Sequence, residues 1–254
     1  MGLLTVVGTG IKSLAHMTTE AAAAIRHADK VLYGAGEPLT IDWIARNAKS
    51  AECLDVLYEE GKDRMLTYNA MAEVILSYVR SGLKVCVSFE GHPGIFVDVA
   101  HRCIRTARTE GYQARMLPGV SAQDCLVADL LIDPAEYGCQ SFEATDFLLR
   151  GYKPDVTSML VLWQVGCIGL STFSRNRQPK KNVRILTEVL ETSYGADHPV
   201  IAYQAALFSV SSPTIVETPL RRLPEYDLGL ATLYVPPLRE GLVNREYLAR
   251  FGIA

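Results

Sequence analysis

The stretch Leu3-Leu-Thr-Val-Val-Gly-Thr-Gly10 opens the chain with a short β-branched run that ends in a glycine turn. Such a run predicts a buried strand that leaves its sheet through a glycine-rich loop. Thr18 or Thr19 then caps a predicted helix with Ala21–Ile25 as its body, and Lys30–Tyr33 is the next predicted strand. This strand–helix–strand spacing is typical of a parallel sheet, so the sequence predicts an α/β fold.

The pattern continues along the rest of the chain. Residues 63–80 carry apolar side chains at spacings of three and four, which predicts a helix that begins near Asp63 and ends before Gly82. Further strands are predicted at 85–89, 114–117, 159–163, 199–203, 214–217 and 231–235. Further helices are predicted at 97–110, 181–194 and around 244–251.

The length of 254 residues corresponds to about 1.7 domains of average size, so one large or two small domains fit. We place a boundary near residues 119–124. This gives an N-terminal α/β domain over 1–120, a C-terminal α/β domain over 121–237, and a tail over 238–254.

Composition and charge exclude several classes of protein. Hydrophobic residues make up 49% of the chain and charged residues 21%, which is ordinary for a globular protein. The net charge of −3 disfavours a nucleic-acid partner, which normally requires a basic face. No apolar run is long enough to predict a membrane span, and the start lacks the features of a signal peptide. None of the six cysteines forms a Cys-x-x-Cys pair, so we expect reduced thiols, a cytoplasmic location and no metal site.

Three glycine-containing loops follow predicted strands. Gly8-Thr-Gly10 lacks the third glycine of the dinucleotide fingerprint, because position 13 is serine, so it also fits a simple turn. Gly91-His-Pro-Gly94 lies at the carboxyl end of a strand, where open α/β sheets bind ligands, but a tight strand–helix connection is an alternative. Pro118-Gly-Val-Ser121 lies at the predicted domain junction, where Ser121 either contacts a ligand or caps the next helix.

Tyr58, Arg64 and Tyr68 form a fourth candidate cluster. Arg64 and Tyr68 are four residues apart on the predicted helix, so their side chains are neighbours. A guanidinium beside a phenol favours the phenolate and lowers its pKa, which would produce a catalytic base. The alternative is that Tyr68 is only a core residue, since it lies on the apolar stripe of the helix.

The order of these motifs along the chain resembles that of the tetrapyrrole methylases, which have the class III fold of S-adenosylmethionine-dependent enzymes. More closely, the chain resembles the borosin peptide-backbone α-N-methyltransferases. The resemblance covers residues 3–237 and is carried by long runs. These are Thr5-Val-Val-Gly-Thr-Gly-Ile11, Gly61-Lys-Asp-Arg-Met-Leu-Thr-Tyr68, Glu110-Gly-Tyr-Gln-Ala-Arg-Met-Leu-Pro-Gly-Val-Ser-Ala122, Leu160-Val-Leu-Trp-Gln-Val-Gly166 and Tyr194-Gly-Ala-Asp-His-Pro-Val200.

The resemblance implies a two-domain α/β fold with the cofactor in the cleft between the domains. S-adenosylmethionine would be the cofactor and S-adenosylhomocysteine the product. Tyr58, Arg64 and Tyr68 match the family's catalytic positions. The implied cofactor-binding positions are Glu90, His92, Ile95, Ser121, Gln164, Ala205, Ala231 and Thr232. Two residues depart from the family: Glu90 and Asp55 stand where it usually has tyrosines.

The resemblance also implies partners. In fused members the substrate is the enzyme's own C-terminal extension, whereas no Val/Ile/Gly-rich peptide precedes Ala254 here. We therefore expect iterative methylation of a separate precursor peptide in trans, by a homodimer in a 2:2 complex. Two alternatives stay open: a tetrapyrrole (uroporphyrinogen or precorrin) C-methyltransferase, and a catalytically impaired peptide-binding relative. A ribosomal RNA methyltransferase of this fold is disfavoured by the negative charge.

Overall fold

The computed structural model describes residues 2–34, 36–174 and 180–253. These residues form two compact units. The first unit comprises the chain up to residue 130 together with 170–174 and 205–214, and the second comprises the remaining described residues. The domain limits inferred from the sequence, at residues 120 and 237, stay a prediction.

The first unit is built on a five-stranded sheet. Its strands are β1 (Leu3–Gly8), β2 (Lys30–Tyr33), β3 (Ala51–Cys53), β4 (Lys84–Phe89) and β5 (Gln113–Met116). Their order is β3-β2-β4-β1-β5, and every neighbouring pair is parallel, which confirms the predicted parallel sheet. Because β1 lies between β4 and β5 and runs parallel to both, the loops that follow these three strands leave the same edge of the sheet.

Helices cover both faces of this sheet. They are α1 (Thr19–His27), α2 (Pro38–Asn47), α3 (Arg64–Arg80), α4 (Asp98–Thr109) and α5 (Ala122–Leu130). Thr18 caps α1 by accepting a hydrogen bond of 3.0 Å from the Ala21 amide, as one of the two sequence alternatives predicted. Ile75 and Val79 of α3 and Cys103 of α4 pack against one face of the sheet, while Ile25 of α1 and Ile44 of α2 pack on the other.

The second unit contains a mixed sheet. Its elements are α6 (Pro134–Tyr137), β6 (Cys139–Glu143), α7 (Ala144–Leu149), β7 (Met159–Trp163), α8 (Lys180–Tyr194), β8 (Pro199–Gln204), β9 (Thr214–Pro219), β10 (Thr232–Val235) and α9 (Arg245–Phe251). The strand order is β6-β7-β10-β8-β9. Strand β6 runs parallel to β7, whereas β10 is antiparallel to both β7 and β8. Leu160 and Leu162 of β7 are fully buried with Phe147, Leu186 and Leu190.

Within the three described ranges, no helix has the length and apolar character that crossing a lipid bilayer demands.

Candidate active site

The amino-terminal turn of α3 carries two of the predicted catalytic side chains. Asp63 caps the helix by accepting hydrogen bonds from the amides of Met65 (2.7 Å) and Leu66 (3.3 Å). Arg64 is the first residue of the helix and Tyr68 lies one turn later, so they share a face as predicted. A cation in the first turn opposes the helix dipole. Such a local conflict is typical of a functional rather than a stabilising position.

Tyr58 reaches the same place from the preceding loop. It follows a 3-10 turn (Asp55–Leu57), and its amide donates a 3.0 Å hydrogen bond to the Asp55 carbonyl. The rings of Tyr58 and Tyr68 both pack against the core of the first unit. The ring of Tyr68 is therefore a core group, as one of the two sequence interpretations expected. The hydroxyl of Tyr58 interacts with the hydroxyl of Tyr68 and with the charge of Arg64. The structure therefore brings the three predicted catalytic residues together.

The pKa of Tyr58 is shifted in the opposite direction to the one expected from the sequence: it is raised and not lowered. Burial is the main cause that raises it, and the neighbouring Tyr68 and Asp55 act in the same direction. Arg64 lowers the pKa but is the weakest of these influences, and the result is a pKa of about 12. The expectation that Arg64 converts this phenol into a phenolate is therefore wrong for Tyr58. Its hydroxyl stays protonated and is a hydrogen-bond donor.

The three glycine loops of the first unit meet at the strand ends. The amides of Gly10 and Gly91 each donate to the other's carbonyl, over 3.3 and 3.0 Å. A Cβ on Gly8 would overlap the Gly91 carbonyl oxygen, and a Cβ on Gly119 would lie 2.7 Å from the same atom. These glycines are therefore required by the packing of loop on loop, in addition to any contact with a ligand. Gly91 itself has φ 71°, a left-handed conformation that favours glycine.

The residues around Gly91 form a rigid turn. The Gly94 amide donates a 3.0 Å hydrogen bond to His92 Nδ1, and the Ile95 amide donates to the His92 carbonyl. The Ile95 side chain is 37% exposed. Glu90 is also exposed, yet the protein around its carboxyl group raises its pKa, with the charge of Glu37 acting in the same direction.

Ser121 has the capping role that the sequence left open. Its hydroxyl donates to the Asp124 carboxylate over 2.9 Å and accepts from the Asp124 amide over 3.2 Å. The Ser121 amide donates to the same carboxylate. This reciprocal arrangement is a capping box at the start of α5. The other first-unit candidate, Ala205, follows β8 directly in the 205–214 segment.

The second unit brings its own three candidates together. Gln164 follows β7 in a left-handed conformation (φ 58°, ψ 36°), which is uncommon for a residue other than glycine. Because β10 runs antiparallel to β7, with Leu233 opposite Leu162, Thr232 and Ala231 lie beside the end of β7 and Gln164. A Cβ on Gly166 would overlap the Gly229 carbonyl, so the loops that carry these candidates are in contact. The left-handed conformation of Gln164 is a form of backbone strain, and such strain clusters at functional sites.

No cluster of three or more potential metal ligands occurs among the residues described. Sequence reasoning missed one residue that packs against Tyr58. The Phe173 ring stacks on Tyr58 with centroids 4.8 Å apart. No spacing rule links two residues so far apart in the chain, and only the fold reveals the contact.

Residues 3–224 match the family model of the Tetrapyrrole (Corrin/Porphyrin) Methylases. The chain belongs to the tetrapyrrole methylase family. Among curated relatives, the methyltransferase/ribosomally synthesized cyclic peptide dendrothelin A precursor of Dendrothele bispora is 44% identical, over 97% of this chain and 60% of the relative. The corresponding omphalotin A precursor of Omphalotus olearius is 42% identical, over 99% and 62%. A type I borosin cyclic peptide precursor of Coprinopsis marcescibilis is 43% identical, over 100% and 67%.

These matches confirm the resemblance to borosin methyltransferases that the sequence runs indicated. The chain spans about 60% of the length of the curated relatives it matches first. Solved structures confirm the fold. Uroporphyrin-III C-methyltransferase from Thermus thermophilus, in complex with S-adenosylhomocysteine, is similar with a TM-score of 0.64 and 17% identity, over 93% of each chain. A cobalt precorrin-4 methyltransferase is similar with a TM-score of 0.63 and 15% identity, over 93% of this chain and 95% of that one.

Proposed function

We propose that this tetrapyrrole methylase family member transfers methyl groups from S-adenosylmethionine to backbone amide nitrogens of a ribosomally made peptide. The observation that carries the proposal is the cluster of Tyr58, Arg64 and Tyr68 at the start of α3. The curated relatives at 42–44% identity, which are named as methyltransferases joined to peptide precursors, support the substrate class.

The cluster has the groups that amide methylation requires. An amide nitrogen is a poor nucleophile because resonance places its lone pair in the C–N bond. Removing its proton produces an imidate with negative charge on oxygen. In the proposed step the Arg64 guanidinium and the protonated Tyr58 hydroxyl stabilise that oxygen, while the phenolate form of Tyr68 accepts the amide proton and becomes the phenol. The raised pKa of Tyr58 supports its role as a protonated donor.

The first unit fits S-adenosylmethionine through its packed glycine loops. These loops present main-chain groups at the carboxyl ends of parallel strands, where α/β proteins bind nucleotides. His92 and the exposed Ile95 lie on the same turn, and Glu90 offers a carboxylate for a cationic group. The bound cofactor supplies an electrophilic methyl group. The second unit carries its own candidate positions, Gln164, Ala231 and Thr232.

The surface around the cluster suits a peptide with apolar side chains. Val56, Met65 and Leu66 are close to the catalytic residues in sequence and are 76%, 46% and 60% exposed. Exposed large apolar side chains are a common feature of binding surfaces.

The test is co-expression of the full chain with a candidate precursor, such as the product of a short reading frame beside the gene. We expect mass gains of one CH2 per methylation, localised to backbone amides by fragmentation. Arg64→Ala and Tyr68→Phe should lose methylation but bind S-adenosylmethionine as the unchanged protein does. Cofactor binding without peptide methylation, together with turnover of uroporphyrinogen, would instead establish a tetrapyrrole C-methyltransferase. If the protein neither binds the cofactor nor turns over either substrate, it is a peptide-binding relative.

Three finer features belong to the same proposal. The precursor acts in trans, which mixing separately purified enzyme and peptide tests directly. The enzyme is a homodimer that forms a 2:2 complex, so light scattering should report twice the 27.9 kDa chain mass. The reaction takes place in the cytoplasm, in accord with the six free cysteines of the described chain.

A further inference from the structure

We infer that Phe173 is a positioning residue for Tyr58, held in place by a strap formed by residues 171–173. The inference rests on the proposed role of Tyr58 in amide methylation. It adds to the catalytic cluster a residue more than a hundred positions away in sequence.

The strap is tied to the catalytic loop by three main-chain hydrogen bonds. The Arg64 amide donates to the Ser171 carbonyl over 3.2 Å. The Phe173 amide donates to the Lys62 carbonyl, and the Gly61 amide donates to the Phe173 carbonyl, each over 2.9 Å. Asp63, the cap of α3, lies opposite Thr172 in this antiparallel bridge. The strap therefore fixes the segment that joins Tyr58 to Arg64.

The segment also has local ties, including a 3.1 Å hydrogen bond from the Lys62 amide to the Glu59 carbonyl. Lys62 Nζ donates to the Leu57 carbonyl over 3.3 Å and forms an ion pair with Glu59 over 3.1 Å. Gly61 then turns in the left-handed region with φ 77°. A loop that turns at glycine is conformationally permissive. The pairing with the strap adds a long-range restraint to these local ties.

The ring of Phe173 acts on Tyr58 directly. The two rings stack with centroids 4.8 Å apart and planes inclined by 29°. A stacked ring limits the rotation of its neighbour, so the Tyr58 ring keeps its hydroxyl in place beside Arg64 and Tyr68. The stack also covers one face of the Tyr58 ring. This agrees with burial being the main cause of the raised pKa of Tyr58.

The first experiment compares Phe173→Ala, Phe173→Leu and Phe173→Tyr in peptide methylation. Phe251→Ala, a change at a 72% exposed phenylalanine of α9, is the matched control. We expect Phe173→Ala to lower kcat about 10- to 100-fold, the effect of a misplaced catalytic group, while KM and cofactor affinity stay within twofold. Phe173→Tyr keeps a stacking ring and should have the rate of the unchanged protein. Phe173→Leu should have a rate between those of the alanine and tyrosine variants. A loss confined to KM, or equal rates for the alanine and tyrosine variants, would overturn the inference.

The second experiment asks whether Phe173 acts through Tyr58. In the Tyr58→Phe background, Phe173→Ala should lower kcat no further, because the group that it positions is already absent. Multiplicative losses in the double variant would show an independent role and would contradict the inference.

A third measurement needs no substrate and separates the inference from the proposed function. A double-mutant cycle of Tyr58→Ala and Phe173→Ala in urea denaturation should show a coupling of about 2- to 10-fold in the unfolding equilibrium constant, as aromatic pairs do. If no peptide is methylated but the coupling is present, the proposed function fails, whereas the contact by which Phe173 positions Tyr58 is confirmed. Absence of coupling would overturn the inference about Phe173 whatever the activity.

Discussion

Replacing Tyr58 by phenylalanine tests whether this residue donates a hydrogen bond or accepts a proton. With a pKa of about 12, about one Tyr58 in a thousand is a phenolate at pH 9, against about one in eleven for an unperturbed tyrosine. A base so rarely ionised would make the methylation rate rise tenfold per pH unit throughout the accessible range. A donor would not, because it stays protonated throughout.

We therefore expect Tyr58→Phe to lower the methylation rate about 100-fold, as loss of one donor to a developing oxyanion does. The factor should be the same at pH 7.5 and at pH 9. The assay is single-turnover methylation of the precursor at saturating S-adenosylmethionine, followed by mass spectrometry. Tyr68→Phe is the matched control, and it should abolish the reaction because it removes the proton acceptor. A Tyr58→Phe defect that grows tenfold with each pH unit would refute the donor role.

The same pKa has a consequence that needs no substrate. The folded state holds the Tyr58 proton more tightly than the unfolded chain, so the group's stabilisation is complete below pH 10 and is lost as the pH rises towards 12. At pH 11 about 1.4 kcal/mol of this contribution should be gone. Tyr194 and two buried cysteines titrate in the same range, so the readout is the difference between the unchanged protein and Tyr58→Phe. A difference in unfolding free energy that is constant from pH 8 to pH 11 would show that Tyr58 is not held protonated.

Other parts of the molecule make independent predictions. Gly8→Ala drives a Cβ into the Gly91 carbonyl, so urea denaturation should show a loss of about 1–3 kcal/mol and calorimetry weaker cofactor binding; unchanged stability would contradict the loop packing. Ser121→Ala and Asp124→Ala each remove the capping box of α5 and should each lose about 1 kcal/mol. Cofactor affinity should stay within about twofold in both, because the Ser121 hydroxyl is already engaged; a selective loss in Ser121→Ala would assign that hydroxyl to the cofactor. With Ellman's reagent, the exposed Cys139 should react in the folded protein, and the four buried cysteines only after denaturation.

The repeating elements of the fold could be predicted because their patterns are long. The apolar run of β7 and the spaced apolar residues of α3 appear in the structure within a residue or two of their predicted limits. The sequence missed β3 and β6, which both lie at sheet edges. β3 has three residues, none of them buried, and β6 mixes cysteine, glutamine and serine. An edge strand is defined by the strand it pairs with, so its own sequence carries a weak signal.

The site residues could be named from motif runs, but their interactions could not. The sequence left two roles open for Ser121, and the contact with Asp124 that assigns its hydroxyl to the helix cap depends on side-chain geometry. For the glycines of the first two loops the sequence leaves two interpretations open, a ligand site or a simple turn or connection. In the structure the same absence of a Cβ accommodates a neighbouring loop, which no local pattern reveals.

The direction in which the pKa of Tyr58 is shifted shows why residue spacing alone does not determine the chemistry of a site. The spacing of Arg64 from Tyr68 correctly predicts a cation beside the phenols, and that cation does lower the pKa of Tyr58. The opposing effect is desolvation, which depends on how many atoms surround the hydroxyl and therefore on the whole tertiary structure. Here the core of the first unit, with the Phe173 ring stacked on Tyr58, outweighs the guanidinium. The raised pKa of Tyr58 therefore supports its proposed role as a hydrogen-bond donor, beside Tyr68 as the proposed proton acceptor.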